Sequence, residues 1–483
     1  MRKRFEVQYS IGQRPIEDTP VSLKSNDRLD DLIAGMKAIF CNKEYSEIIF
    51  KELENHITND LKKTGRPGMC LWQIFVLAQV RLGLNIGYDR LHNLANNHFT
   101  LRFLMGVEYE FGFNRVQFEY QNIYDNVCLL DDELVRKLND TVVEFGHQEV
   151  FKKKDTEALV LKTDSFVVEA NVHFPTDYNL LWDCARKCLD SVEDIVEKHP
   201  STTGWRKASS WRHDLKGLMR ELGKASSSGG KGKQDRVETA AGRYLTKSCT
   251  LLAKLVEALE SFPLKDDADL DILCRLEAFI ILMDKHIKLV EKRIIKKEEI
   301  PHADKMFSIF EQYTEWIKKG KSRPSVELGK MLAITTDQYN LIVDYRLMHN
   351  ERDRDIVIDL ADKILARYRV KSWSFDKGYW NSENKQLLQL EVGLVVMPKL
   401  GKRTVAEEEE ERSRAFKRGK NRHSAIESNI NELEHCGLDC CPDRSLPNFS
   451  RYIGLGVCAY NLKKIGARIL EDERSALKKK LAA

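Results

Sequence analysis

Strand character in this chain falls in two places, with a long helical pattern between them. Leu159-Val160-Leu161-Lys162-Thr163-Asp164-Ser165-Phe166-Val167-Val168 is an apolar run without Gly or Pro, leading to the turn-like Phe174-Pro175-Thr176-Asp177. That is the pattern of a buried strand. From Asp177 or Tyr178 to about Ile300 the pattern is almost entirely helical. Strand character returns only after Pro301, at Val326–Thr335, Tyr339–Met348, Ser372–Phe375 and Val392–Met397, with Thr336-Asp337-Gln338 as a hairpin turn. Helices are expected at about Asp353–Tyr368, at Asn384–Leu390 and from His423 onward. Strand, hairpin, helix, strand, helix, strand, helix is the order of a mixed sheet flanked by helices. The expected fold class is therefore α/β, with a large all-helical insertion after the first strand.

Within that insertion, Leu273, Leu276, Ile280, Met283, Ile287, Val290 and Ile294 recur in steps of three and four. This heptad seam suits packing against a partner helix of the same bundle. Ala225-Ser226-Ser227-Ser228-Gly229-Gly230-Lys231-Gly232-Lys233 reads as a mobile loop between two helical arms. Trp205 and Trp211, with Arg206, Lys207 and Arg212, combine stacking surface and positive charge, which serves either DNA contact or helix packing. Upstream, residues 1–24 read as a loose leader and Leu29 to about Lys63 as helical, interrupted at Thr64-Gly65-Arg66-Pro67-Gly68. An apolar helix over Leu71–Leu82 and a shorter one after Asn85-Ile86-Gly87-Tyr88 follow. Short helices joined by tight turns resemble a helix-turn-helix, or a small bundle that only dimerises.

A net charge of +4 leaves nucleic-acid binding to local clusters of Lys and Arg. No run of about eighteen apolar residues occurs, and none follows Met1-Arg2-Lys3-Arg4, so a cytoplasmic chain without signal peptide or membrane partner is expected. Eleven scattered cysteines fit reduced thiols rather than a disulfide scaffold. Cys436, Cys440 and Cys441 beside His435 invite a zinc reading, but no second pair follows at finger spacing.

Three acids carry the chemistry. An apolar strand has little use for Asp164, because burying an unpaired carboxylate costs several kcal/mol. It is either protonated, paired or metal-bound, or it ends the strand as a cap. Asp376 stands where a short strand stops, the position at which ligand-binding residues gather in open α/β sheets. Glu427 lies in a helix that enters directly after Arg412, Arg414, Lys417, Arg418, Lys420 and Arg422, six cations in eleven residues without an acid. Carboxylate oxygens of this kind hold Mg²⁺, and two such ions clamp the attacking and leaving oxygens of a phosphodiester displacement.

Thr163-Asp164-Ser165, Phe174-Pro175-Thr176-Asp177, Phe375-Asp376-Lys377-Gly378-Tyr379 and Arg422-His423-Ser424-Ala425-Ile426-Glu427 together resemble the DDE transposases of bacterial insertion sequences, most of all the ISNCY-type group. The likeness extends over about residues 30–470. It implies an RNase H-like catalytic domain in which Asp164, Asp376 and Glu427 are the catalytic, metal-binding triad. Two Mg²⁺ ions are implied as cofactor, with Mn²⁺ able to substitute. The implied activity is DNA strand cleavage and strand transfer at the element's ends. Partners would be double-stranded DNA, as terminal inverted repeats and target, and a second copy of the chain in a nucleoid-associated dimer. Lys377, Lys402, Arg403, Arg418, Lys420 and Arg422 are the expected DNA contacts. The corresponding division is an N-terminal helical DNA-binding or dimerisation domain over 1–150, the first part of the catalytic domain over 151–177, the insertion over 178–300, and the remainder over 301–483. The alternative is a catalytically inactive derivative that only recognises terminal repeats.

Overall fold

The computed structural model describes residues 2–5, 15–25, 27–57, 68–107, 115–205, 207–318 and 325–482. The expected interruption at 64–67 and Arg206 lie outside these residues. Among the described residues seven strands form one mixed sheet: β1 (Leu159–Ala170), β2 (Glu315–Lys318), β3 (Val326–Thr336), β4 (Ile342–Leu347), β5 (Val370–Phe375), β6 (Leu394–Val396) and β7 (Cys440–Cys441). The order is β2-β3-β1-β5-β6, with β4 paired to β3 and β7 to β1. β1 runs antiparallel to β3 and parallel to β5. The apolar run that opens the strand pattern is thus the central strand, covered on both faces, as its composition requires.

Register follows from side chains that satisfy one another. Thr163 sits opposite Thr335 and beside Phe375. Its hydroxyl lies 2.8 Å from that of Thr335 and accepts the Trp373 indole N–H at 2.7 Å. Trp373 stacks on Phe375 with ring centroids 5.1 Å apart, so this face of the sheet is dry. The other face carries Val160, Lys162 and Asp164 by the period of two. Gly329 lets β3 approach β1: a Cβ there would meet the Val168 carbonyl oxygen at 2.0 Å. The β3–β4 turn is closed by Asp337, whose carboxylate accepts from Tyr339 N and Leu341 N while Asn340 takes a left-handed φ of 62°.

Two compact units emerge, Met1–Asn171 with Ile317–Ala483, and Val172–Trp316. These boundaries differ from the expected 150, 178 and 300. The N-terminal helices share a unit with the sheet because Arg28–Cys41, Leu71–Gly83 and Asp132–Phe145 all pack on the long C-terminal helix Leu446–Ala482. The described part of the leader is pinned as well: Arg4 pairs with Glu47 at 2.6 Å and Glu54 at 2.7 Å, and Ile16 is buried. In the second unit, helices Asp177–Lys198, Ala208–Ser227, Lys233–Ser261 and Asp267–Val290 bundle together. The heptad seam faces inward, with Leu276, Ile280, Met283, Ile287 and Val290 buried and packed with Leu180, Cys184 and Cys188. The segment expected as a loop from Ala225 stays helical to Ser227, because its three-residue start continues the turn of the preceding helix. No described helix is long and apolar enough to cross a membrane.

Gly35 and Gly466 set how closely the first and last helices approach. A Cβ on Gly466 would meet the Asp31 carbonyl oxygen at 1.7 Å, and one on Gly35 the Leu462 carbonyl oxygen at 2.3 Å. Backbone cannot yield as a side chain can, so Gly466→Ala is expected to lower stability by about 2–3 kcal/mol. A lowered urea midpoint checks this; an unchanged midpoint would show that the helices can part freely.

Candidate active site

Asp164 and Asp376 are brought together by strand register. Thr163 is level with Phe375 on the adjacent parallel strand, so the residue after each lies on the same face at the same height. β5 ends at Phe375, and Asp376 begins a 3₁₀ turn over Lys377–Tyr379. This face is covered by two short helices, Arg414–His423 and Ala425–Leu433, and Glu427 stands in the first turn of the second. Ser374 Oγ lies 3.2 Å from His423 Nδ1, tying the junction of the two helices to β5. The burial of His423 holds its ring below the usual histidine range.

The electrostatics of Asp164 report a shared site. Burial pushes its carboxyl up to about 7, against relief from the Ser165 N–H at 2.8 Å, and repulsion from Asp376, Asp353 and Glu427 adds to the rise. Asp376 and Glu427 are exposed, so the arrangement is one half-buried acid with two exposed ones. Asp164 therefore feels the charge of acids widely separated from it in sequence.

Asp353 is a fourth carboxylate that the sequence reading did not single out. It accepts the Ser165 hydroxyl at 2.7 Å, and its carboxyl is raised by burial, with further repulsion from Asp376. Its other oxygen abuts the turn after Asp376: a Cβ on Gly378 would meet Asp353 Oδ2 at 2.7 Å. In sequence it lies in Arg352-Asp353-Arg354-Asp355 at an expected helix start, where an acid is ordinary because it suits the helix dipole. Tyr379, fully buried against Phe375, brings a hydroxyl without a hydrogen-bond partner of good geometry to the same neighbourhood.

The donor set has the chemistry of a Mg²⁺ site, hard carboxylate oxygens around one buried acid. Its side chains are not drawn together, however: among the described residues no three His, Cys, Asp or Glu groups stand at metal-ligating spacing. The same holds for the zinc reading. Cys436, Cys440 and Cys441 are free thiols, Cys436 Sγ contacts Lys463 Nζ at 3.5 Å, and His435 Nδ1 faces the Asn431 carbonyl.

The expected DNA contacts divide into two kinds. Arg418, Lys420 and Arg422 are exposed on Arg414–His423, a helix anchored by buried Phe416 and bearing no acid. Lys377 is exposed beside Asp376, and Lys402 is exposed as well. Arg403 is engaged instead, with Glu411 at 2.8 Å and the Lys399 carbonyl at 3.1 Å. The acidic run 407–411 is spent on such partners, Glu407 on Lys399 and Glu410 on Lys385. In the helical unit, Trp205 and Trp211 pack in or against the core, with Lys254 and Lys247 over their rings at 4.2 and 4.4 Å. Arg212 pairs with Asp190 and Glu193. In the N-terminal segment, Tyr88–Asn97 offers Arg90 beside Asp89 at its surface and Leu71–Gly83 is wholly buried, so neither is a basic recognition helix.

Comparison of the chain with protein-family models, with curated proteins and with solved structures found no match.

Proposed function

We propose that the chain is a DDE transposase, a polynucleotidyl transferase that cleaves and joins DNA strands at the ends of an insertion sequence. In this reading the sheet is an RNase H-like catalytic core. The observation that carries the reading is the repulsion that Asp376 and Glu427 exert on Asp164, which lies level with the carboxyl end of β5, beside an acid-free basic helix. Asp164, Asp376 and Glu427 would hold Mg²⁺, with Asp353 within reach of the same space. Bound there, the metal would supply Lewis-acid stabilisation of the phosphorane-like charge and a lowered pKa for an attacking water or hydroxyl. The reaction is an in-line displacement in which an oxygen nucleophile bonds to phosphorus as the bond to the leaving 3′ oxygen breaks. Arg418, Lys420 and Arg422 hold the strand by its phosphates, and the Ser374–His423 contact fixes the helix that carries them.

A second reading, an inactive derivative that binds terminal repeats without cutting, is favoured by one observation: the ligands are not preassembled. Incubating the chain with supercoiled DNA carrying element ends, with and without Mg²⁺, separates the two. Metal-dependent nicking supports the transposase; binding without nicking in either Mg²⁺ or Mn²⁺ supports the derivative.

The basic helix makes its own prediction. Replacing Arg418, Lys420 and Arg422 together with Ala is expected to weaken duplex binding and to flatten the dependence of log K on log salt by about three units. A slope equal to that of the parent chain would reduce the helix to a solvated connector.

A further inference from the structure

Beneath the basic helix lies a cavity of about 550 Å³. Its floor is Val160 and Lys162 of β1 with Ser372 and Ser374 of β5, and its mouth is framed by Arg418 and Arg422. Lys162 is the unusual member. It is 6% exposed, and its ammonium donates to one neutral acceptor, Asn340 Oδ1, at 2.9 Å. No described carboxylate lies within ion-pair distance of it or of the two arginines. A buried cation is ordinarily paired, because leaving the charge unmatched in a low-dielectric interior costs several kcal/mol. Lys162, Arg418 and Arg422 thus line one space of molecular size, none of them with a described carboxylate at ion-pair distance.

We infer that this cavity binds a phosphate ester, with Lys162 as its buried cation and Arg418 and Arg422 closing on the ligand from the helix. The two serine hydroxyls add neutral partners, and Val160 with Val396 gives the carbon part of an ester an apolar wall that inorganic phosphate would not need. The residues of its floor share their two strands with Asp164 and the turn at Asp376. Lys162 and Asp164 lie on one face two residues apart, as do Ser374 and Asp376, a rise of about 7 Å along the strand. A nucleic-acid strand with one phosphate at the acids thus places a neighbouring nucleotide over the cavity. That choice of ligand rests on the proposed strand-cleaving function; the cavity and its cations do not.

The test is calorimetric titration of the full chain, without metal, with a 5′-phosphorylated trinucleotide, its unphosphorylated counterpart, a deoxynucleoside 5′-monophosphate and inorganic phosphate. The phosphorylated trinucleotide is expected to bind at least tenfold more tightly than the unphosphorylated one. The Arg418→Gln, Arg422→Gln double variant and Lys162→Met should each remove that advantage. Lys162→Met removes a buried partner of Asn340 and can disturb folding, so Ser372→Phe, which fills the cavity without touching its charges, supplies the independent arm. Loss of binding in Ser372→Phe with an unchanged circular dichroism spectrum supports the site. Binding that survives Ser372→Phe is surface attraction and overturns it, as does absence of phosphate-ester binding at millimolar concentration. Tighter binding of the trinucleotide than of the mononucleotide assigns the ligand to a strand, and the reverse assigns it to a free nucleotide. Asp164→Asn distinguishes this inference from the strand-cleavage reading: cleavage that persists in that variant removes the reading, while phosphate-ester binding in the same variant leaves the cavity assigned.

Discussion

Asp164→Asn, Asp376→Asn and Glu427→Gln are each expected to lower Mg²⁺-dependent DNA cleavage by about 10³-fold or more, with duplex binding unchanged to within about twofold. Each substitution keeps shape and removes one anionic ligand. Because the three act as a unit, a double substitution should cost little more than a single one. The measurement is single-turnover cleavage of an end-bearing duplex, with binding followed in parallel. Near-normal cleavage by Glu427→Gln would remove Glu427 from the set. The next candidate is then Asp353 rather than another acid of the same helix, since Glu432 is already paired with Lys464 at 2.7 Å. Asp353→Asn also loses the acceptor for Ser165, so it should impair cleavage even if Asp353 never touches metal.

Asp164→Asn is also expected to stabilise the metal-free chain at neutral and alkaline pH. The folded-state carboxyl is raised to about 7 from the ordinary aspartate value of 3.8. Between those values the folded state holds a proton that the unfolded state has released, so stability falls as pH rises through this window and the cost is complete above about 7. The upper bound is of the order of 4 kcal/mol, reduced where the site admits water. Urea unfolding at pH 5 and pH 8 should show the parent chain losing stability relative to Asp164→Asn as pH increases. Mg²⁺ should restore the parent at pH 8 and leave Asp164→Asn unmoved. A variant no more stable than the parent at pH 8 would mean that Asp164 is not the desolvated, repelled acid described here.

Local pattern carried much of this molecule. The run Leu159–Val168 could only be a buried strand, and its lone acid was conspicuous because an apolar strand offers a carboxylate no partner. Strand character after Pro301 placed β3 to β6 within a few residues, and the three- and four-residue steps of Leu276 to Val290 marked an inward-facing seam. These signals are local: alternation and helical period are properties of neighbours in sequence, and they survive whatever the chain does elsewhere. Boundaries between compact units were not local. The N-terminal helices join the sheet's unit because Gly35 and Gly466 let two helices from opposite ends of the chain touch backbone to backbone, which no window of sequence reveals. Asp353 was invisible for the same reason. An acid at a helix start is ordinary, and only the Ser165 hydroxyl and the turn at Gly378 bring it beside Asp164. In sequence Lys162 is one polar residue within an apolar strand. The tertiary structure alone decided that it would be buried with no described carboxylate at ion-pair distance, lining a cavity with two arginines from a helix that follows it far along the chain.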